Sequence, residues 1–173
     1  MKRVRLAGFF IIVPFLIFAC VKIDKLPATP SITFTSFETY ATVDTLGNPD
    51  RVGKLKFHFQ DGDGDLGLNP PNGSGQDSVN LFFNMFRVTK GILVPAADND
   101  PLRPSPYRIP YLSQIGQSHV LTGTISVTFL YLFYSDADTI EYQFYIKDRA
   151  GHASDTVSTC PIVIVKDTIC KGN

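Results

Sequence analysis

Tryptophan is absent from this chain of 173 residues, methionine occurs twice and cysteine three times. Without Trp, the chain lacks the broad exposed ring on which sugar platforms most often rest. Basic and acidic residues balance at 16 each, and no basic stripe runs through the sequence. Neither net charge nor patterning therefore points to nucleic acid. No Gly-x-Ser-x-Gly elbow, His-Glu-x-x-His helix or phosphate loop occurs, so the usual signatures of hydrolase and nucleotide chemistry are missing. Helical periodicity is lacking beyond the first twenty residues, which excludes a bundle.

The N-terminus is a basic start, "MKRVR", followed by the apolar run "LAGFFIIVPFLIFA" up to Cys20. That run is too short for a membrane span and fits a secretory signal. Residues Ile17-Phe18-Ala19-Cys20 resemble the lipobox of bacterial lipoproteins. The resemblance implies cleavage before Cys20, a diacylglyceryl thioether on its sulfur and an acylated amino group. Several acyl chains, at roughly 0.8 kcal/mol per buried methylene, hold a protein on a membrane permanently. No Asp follows Cys20, which in the Gram-negative sorting rule implies the outer membrane. A plainly secreted protein whose signal ends near a cysteine is the simpler alternative. Loss of Lys2, Arg3 and Arg5 with the signal leaves 13 basic against 16 acidic residues, a net charge of −3.

The rest reads as β-structure. In "LKFHFQ", Leu55, Phe57 and Phe59 share one face; in "TISVTFLYLF", Ile125, Val127, Phe129, Tyr131 and Phe133 do; in "TIEYQFYIK", Ile140, Tyr142, Phe144 and Ile146 do. This period of two predicts half-buried strands. "SITFTSF", "VNLFFNMFRV", "YRIPYL" and "TCPIVIV" are further candidates, separated by turn signals such as "LGNPD", "NPPNGSG" and "DRAG". About seven strands predict an all-β fold, an antiparallel β-sandwich of immunoglobulin-like order. "IEYQFYIKDRAGHASDTVST" resembles the last hairpin of bacterial immunoglobulin-like domains, with His152 where Asn is commoner. More broadly the chain is similar to Gram-negative lipoproteins of unassigned activity that carry F-x-DGDGDLG before such a hairpin. The expected organisation is a signal over 1–19, a lipid-anchored tether over 20–30 and the sandwich domain over 31–173.

The stretch "FHFQDGDGDLGLNPPNGSG" holds the main candidate site. Asp61, Asp63 and Asp65 keep the inward parity of Leu55, Phe57 and Phe59. An unbroken strand would drive three carboxylates into apolar packing at several kcal/mol each. The chain is therefore expected to leave the sheet near Gln60, using the freedom of Gly62 and Gly64. Calcium takes six to eight oxygens, and alternating Asp and Gly lets a chain curl around it. An EF-hand is excluded: counting Asp61 as one, position six is Leu66 and position twelve is Asn72.

In an immunoglobulin order this loop and "DRAGHAS" share one end of the sandwich, and Asp148 emerges there. The chain also enters at that end, bringing Asp24 near. Calcium held by Asp61, Asp63, Asp65 and Asp148 is one reading. A solvated acidic turn, with Asp148 capping its own turn, is the other, and both stay open. Paired carboxylates hydrolyse glycosides across a cleft at roughly 5–9 Å; crowding into one turn suits an ion better.

His58, His119 and His152 fall on an outward strand face, beside a turn and in a hairpin, where solvated or turn-stabilising roles are expected. Residues 94–110 hold five prolines, a long loop of the kind that is usually functional or disordered. Tyr107 and Tyr111 beside it are the candidates for a ligand such as a glycan, with burial at a sheet edge as the alternative. Cys160 and Cys170 lack metal-site spacing. An extended Pro161–Val165 sets them well beyond the roughly 7 Å a disulfide tolerates. A bridge would need the chain to reverse within Lys166–Thr168.

Together these features predict a lipid-anchored envelope protein of structural or binding character, with no enzymatic activity. An accessory subunit binding a glycan or an envelope protein is the alternative, and a hydrolase a distant third.

Overall fold

The structure is a computed structural model describing residues 26–70, 78–113 and 119–172. The signal, Cys20 and Asp24 lie outside the described residues. Strand β1 spans Ser31–Val43, β2 Pro49–Asp61, β3 Leu81–Thr89, β4 Ile92–Pro95 and β5 Leu121–Tyr131. Strand β6 spans Thr139–Ile146, β7 Val157–Ser158, β8 Ile162–Val163 and β9 Thr168–Lys171. The described residues contain no helix, and so none long and apolar enough to cross a membrane.

Two antiparallel sheets form a sandwich-like arrangement. One has the order β5-β2-β1-β9; the other runs β4-β3-β6-β7, with β8 also paired to β6. The expected alternation is visible in burial. Leu55, Phe57, Phe59, Val127, Phe129, Ile140, Tyr142, Phe144 and Ile146 are all buried, each apolar side chain contributing roughly 1.5–3 kcal/mol. Rings from both sheets meet at the centre: Phe129 stacks on Tyr142 at 5.3 Å and Phe57 meets Phe144 at 5.2 Å. The buried hydroxyls are partnered, Tyr131 with Tyr142 at 3.1 Å, and Tyr142 donates to the Leu102 carbonyl at 3.1 Å. Among the described residues, the core draws on residues from Ile32 to Ile164.

Three expectations are corrected. First, "YRIPYL" is not a strand. Pro106 and Pro110 bracket it without N–H groups, and only isolated bridges remain, Tyr107 with Leu81 and Pro110 with Leu68. Second, Phe133 is not inward. Strand β5 ends at Tyr131, and Phe133 is 72% exposed.

Third, Cys160 and Cys170 are bonded, with Cα atoms 6.4 Å apart. The extended run stops after Val163, the chain turns through Ile164–Lys166 and returns as β9. Strand β9 pairs with β1, placing Cys170 opposite Phe37. The bridge therefore joins one sheet's edge to the chain between β7 and β8 on the other.

As expected, β2 leaves the sheet close to Gln60: it ends at Asp61, which sits opposite Leu121 and is itself buried. The proline-rich residues after β4, up to 112, are held by specific contacts. Arg87 grips Asp100 with two bonds of 2.7 Å and also pairs with Asp138. Leu102 enters the core, and the Ile109 amide donates to Asn80 Oδ1 at 2.7 Å.

Candidate functional site

The site lies at the end of the sandwich where β2 finishes. Asp61 keeps its inward parity and is fully buried. Its Oδ2 accepts the Leu66 amide at 2.7 Å, closing a tight turn across Gly62–Asp65. Leu66 then drops into the core with no exposure. Within the turn, Gly64 takes a positive φ of 71°, a conformation glycine adopts at little cost. Gly62 allows a close approach: its amide donates to the Pro27 carbonyl at 3.1 Å, and a Cβ there would fall on the Leu26 and Pro27 carbonyls. The segment leading into β1 is thus pressed directly against the acidic turn.

Asp65 ties this turn to the connection after β6. Its Oδ2 accepts the Ala150 amide at 3.0 Å and its carbonyl the Arg149 amide at 3.3 Å. Arg149 in turn donates to the Gly67 carbonyl at 2.7 Å, and its guanidinium lies over the Tyr111 ring at 5.1 Å.

One carboxylate oxygen from each of Asp61, Asp63 and Asp65 can be chosen so that all lie within 4.8 Å of one another. Two oxygens bound to one calcium at 2.3–2.6 Å stand at most about 5.2 Å apart, so this spread suits a shared ion. Asp61 Oδ1 and Asp65 Oδ1 are buried with no hydrogen-bond donor, a costly state for a charged oxygen. Burial pushes the Asp61 carboxyl up to about 6, with the neighbouring Asp63 and Asp65 carboxylates adding to the effect. Asp65 is raised chiefly by burial, then by the charges of Asp148 and Asp63. In both, burial and crowding disfavour the charged form, a cost that a proton or a cation relieves.

Asp148 is buried beside the cluster. Its Oδ1 accepts the His152 amide at 2.8 Å, and its Oδ2 lies 2.8 Å from His152 Nδ1. It caps its turn with both oxygens and reaches the cluster through its charge on Asp65. That hydrogen bond raises the His152 pKa. Tyr111 joins this end of the molecule, half exposed above Arg149. Tyr107 does not. Its backbone pairs with Leu81, its ring packs edge-on against Phe83 and Phe129, and its hydroxyl donates to the Thr128 carbonyl at 3.3 Å. It lines an open groove of about 260 Å³ with Pro110, Leu112, Ile125 and Val127.

Spacing gave no warning of Arg149 or the Leu66 amide as parts of the site. The only sequence signal for Leu66 is an apolar residue directly after two Asp-Gly pairs and a third Asp, where a solvated turn would have a polar one. No family model, curated protein or solved structure matches the chain.

Proposed function

We propose that this is a lipid-anchored envelope protein, held at the outer membrane through Cys20, whose immunoglobulin-like domain has a structural or binding role without turnover of its own. The immunoglobulin-like order is supported by β5-β2-β1 facing β4-β3-β6-β7. Calcium at Asp61, Asp63 and Asp65 fixes the acidic turn, with Asp148 contributing charge behind Asp65.

The observation that carries this reading is the buried Asp61 Oδ1 without a hydrogen-bond partner, in a carboxylate grouped with those of Asp63 and Asp65. Because Gly62 of the same turn holds the Pro27 carbonyl, the ion also fixes the angle at which the domain leaves its tether. Thermal unfolding of residues 21–173 in calcium and in chelator tests it, beside an Asp61→Asn/Asp63→Asn variant. At 100 times the dissociation constant, calcium should stabilise by about 2.7 kcal/mol, several degrees here. The variant should lose that gain. Coincident curves for the unmodified chain would leave an ion-free acidic turn.

A second reading, an accessory subunit for an envelope protein, draws on the opposite end. Leu46 is 85% exposed, and Val43, Ile92, Leu132 and Phe133 are exposed as well, at the strand ends and connections of that end. Contiguous apolar patches on a surface mark sites of protein contact. A partner that co-purifies reproducibly and is lost with Phe133→Ser would favour this role.

A further inference from the structure

We infer that the outer edge of β5 pairs with the same edge of a second copy of this chain, joining two four-stranded sheets side by side. This goes beyond the calcium reading and does not rest on it. Of the strands that end the two sheets, most are short. Strands β7 and β8 have two residues each, β4 has four and ends on Pro95, and β9 has four and ends on Lys171. Strand β5 has eleven, with neither a charged residue nor a proline. Its pairing with β2 runs from Asp61–Leu121 to Arg51–Tyr131 without a register shift, so no bulge twists it away. Edges are ordinarily kept from other strands by shortness, charge, proline or a bulge; this one has none of these guards.

The backbone groups of β5 point outward at every second residue. The Thr128 carbonyl accepts the Tyr107 hydroxyl at 3.3 Å from outside the sheet. The ladder agrees: the Gly172 amide donates to the Thr35 carbonyl at 2.9 Å on the β9 side of β1. Alternation carried from there across β1 and β2 turns the even residues of β5 outward. Thr122, Thr124 and Ser126 therefore aim N–H and C=O groups off the sheet, and no described residue donates or accepts there. Tyr107 closes the edge at Thr128, which leaves Thr124 at the centre of the open stretch. A two-fold axis at Thr124 sets it against Thr124 of the second copy, and Thr122 against Ser126, in both directions. Each such pair exchanges two main-chain hydrogen bonds. On the inward side Gly123 meets Ile125, a bare backbone beside a branched side chain. Val127, on the wall of the Tyr107 groove, meets the second copy's Leu121. The occupant is a second copy because this strand is its own complement. Unpaired donors meet acceptors at matching spacing, and no like charges are brought together.

Single cysteines in the full-length chain test the contact and its register. Cys160 and Cys170 are bonded to each other, and the unsubstituted chain controls for Cys20. Opposite residues of a hydrogen-bonded pair have Cα atoms about 5.5 Å apart, within reach of a disulfide. Under mild oxidation Thr124→Cys should give a covalent dimer on a non-reducing gel, and Thr128→Cys should stay monomeric. Thr122→Cys and Ser126→Cys should each stay monomeric alone and cross-link when co-expressed. Ser126→Pro removes an N–H that no bond of the fold uses. Added to Thr124→Cys, it should abolish the dimer and leave the unfolding midpoint in place. Equal cross-linking of Thr124→Cys and Thr128→Cys would mean random collision and overturn the pairing, as would a dimer that survives Ser126→Pro. A chain that stays monomeric throughout would overturn it too. A mixed disulfide of Thr124→Cys with another protein, and no dimer, would give this edge a different occupant and overturn the second copy.

Discussion

At the residue scale, Asp61 concentrates the conflict in this molecule. A carboxylate with inward parity keeps its place in the sheet because the turn behind it returns the Leu66 amide to one oxygen. The other oxygen has no donor. The folded carboxyl, raised to about 6, holds a proton over a range where the unfolded chain, with an ordinary aspartate near 3.9, has already released it. Protons therefore stabilise the fold: in chelator, stability should fall as pH rises from about 4 through about 6. Asp65 acts in the same direction. His152, raised by Asp148, extends the decline above its ordinary 6.5 as its proton is lost. Urea denaturation at stepped pH should find the segment below about 6 much flatter in Asp61→Asn, with the His152 portion retained. In calcium the unmodified protein should lose the same decline, because the ion favours the carboxylate form. Parity put Asp61 in line with the core face, and from that the chain was expected to turn away near Gln60; the strand ends one residue later, with the carboxylate buried. Parity could not reveal that an amide five residues on would keep the strand in register, since that depends on the turn's path and not on spacing.

At the scale of elements, legibility followed burial. Strands β2, β5 and β6 each bury one face, so their alternation was visible, and β1 and β3 were placed though their ends were not. Strand β4, Ile92–Pro95, is exposed throughout and carries no alternation to read. Strand β9 has mostly exposed residues and is set by its neighbours. It depends on β1 beside it and on the Cys160–Cys170 bridge behind it. That dependence is testable. A Cys160→Ser/Cys170→Ser variant should lose about 2–3 kcal/mol, from the freed loop entropy of the unfolded chain, and melt several degrees lower. Hydrogen exchange should rise first at Thr168–Lys171. A uniform rise across both sheets would show that the bridge supports the whole sandwich and not its edge.

At the scale of the whole molecule, the two ends differ in kind. One carries the acidic turn, Arg149, Tyr111 and the entering chain; the other carries exposed apolar side chains. The connections there, Asp44–Asn48 and Leu132–Asp138, make few core contacts, so their apolar groups serve no folding role. Phe133→Ser should therefore change stability by no more than about 0.5 kcal/mol. Light scattering at high concentration should meanwhile show less self-association. A large loss of stability instead would mean that Phe133 packs in solution despite its exposure.

The long antiparallel pairing of β1 with β2, from Ser31–Gln60 to Val43–Pro49 with one register shift between Phe34 and Ser36, has a mechanical meaning for a domain anchored as proposed. The entering chain bends at Ala28–Thr29 and then runs on as β1, so a pull on an anchored N-terminus reaches the strand at its first residues, across hydrogen bonds that lie perpendicular to the strand. Such bonds are loaded together in shear instead of peeled apart one by one. On the other flank, β9 grips β1 from Ser36 to Thr39 and is itself stapled to the opposite sheet. The strand that takes the load is the one clamped on both sides.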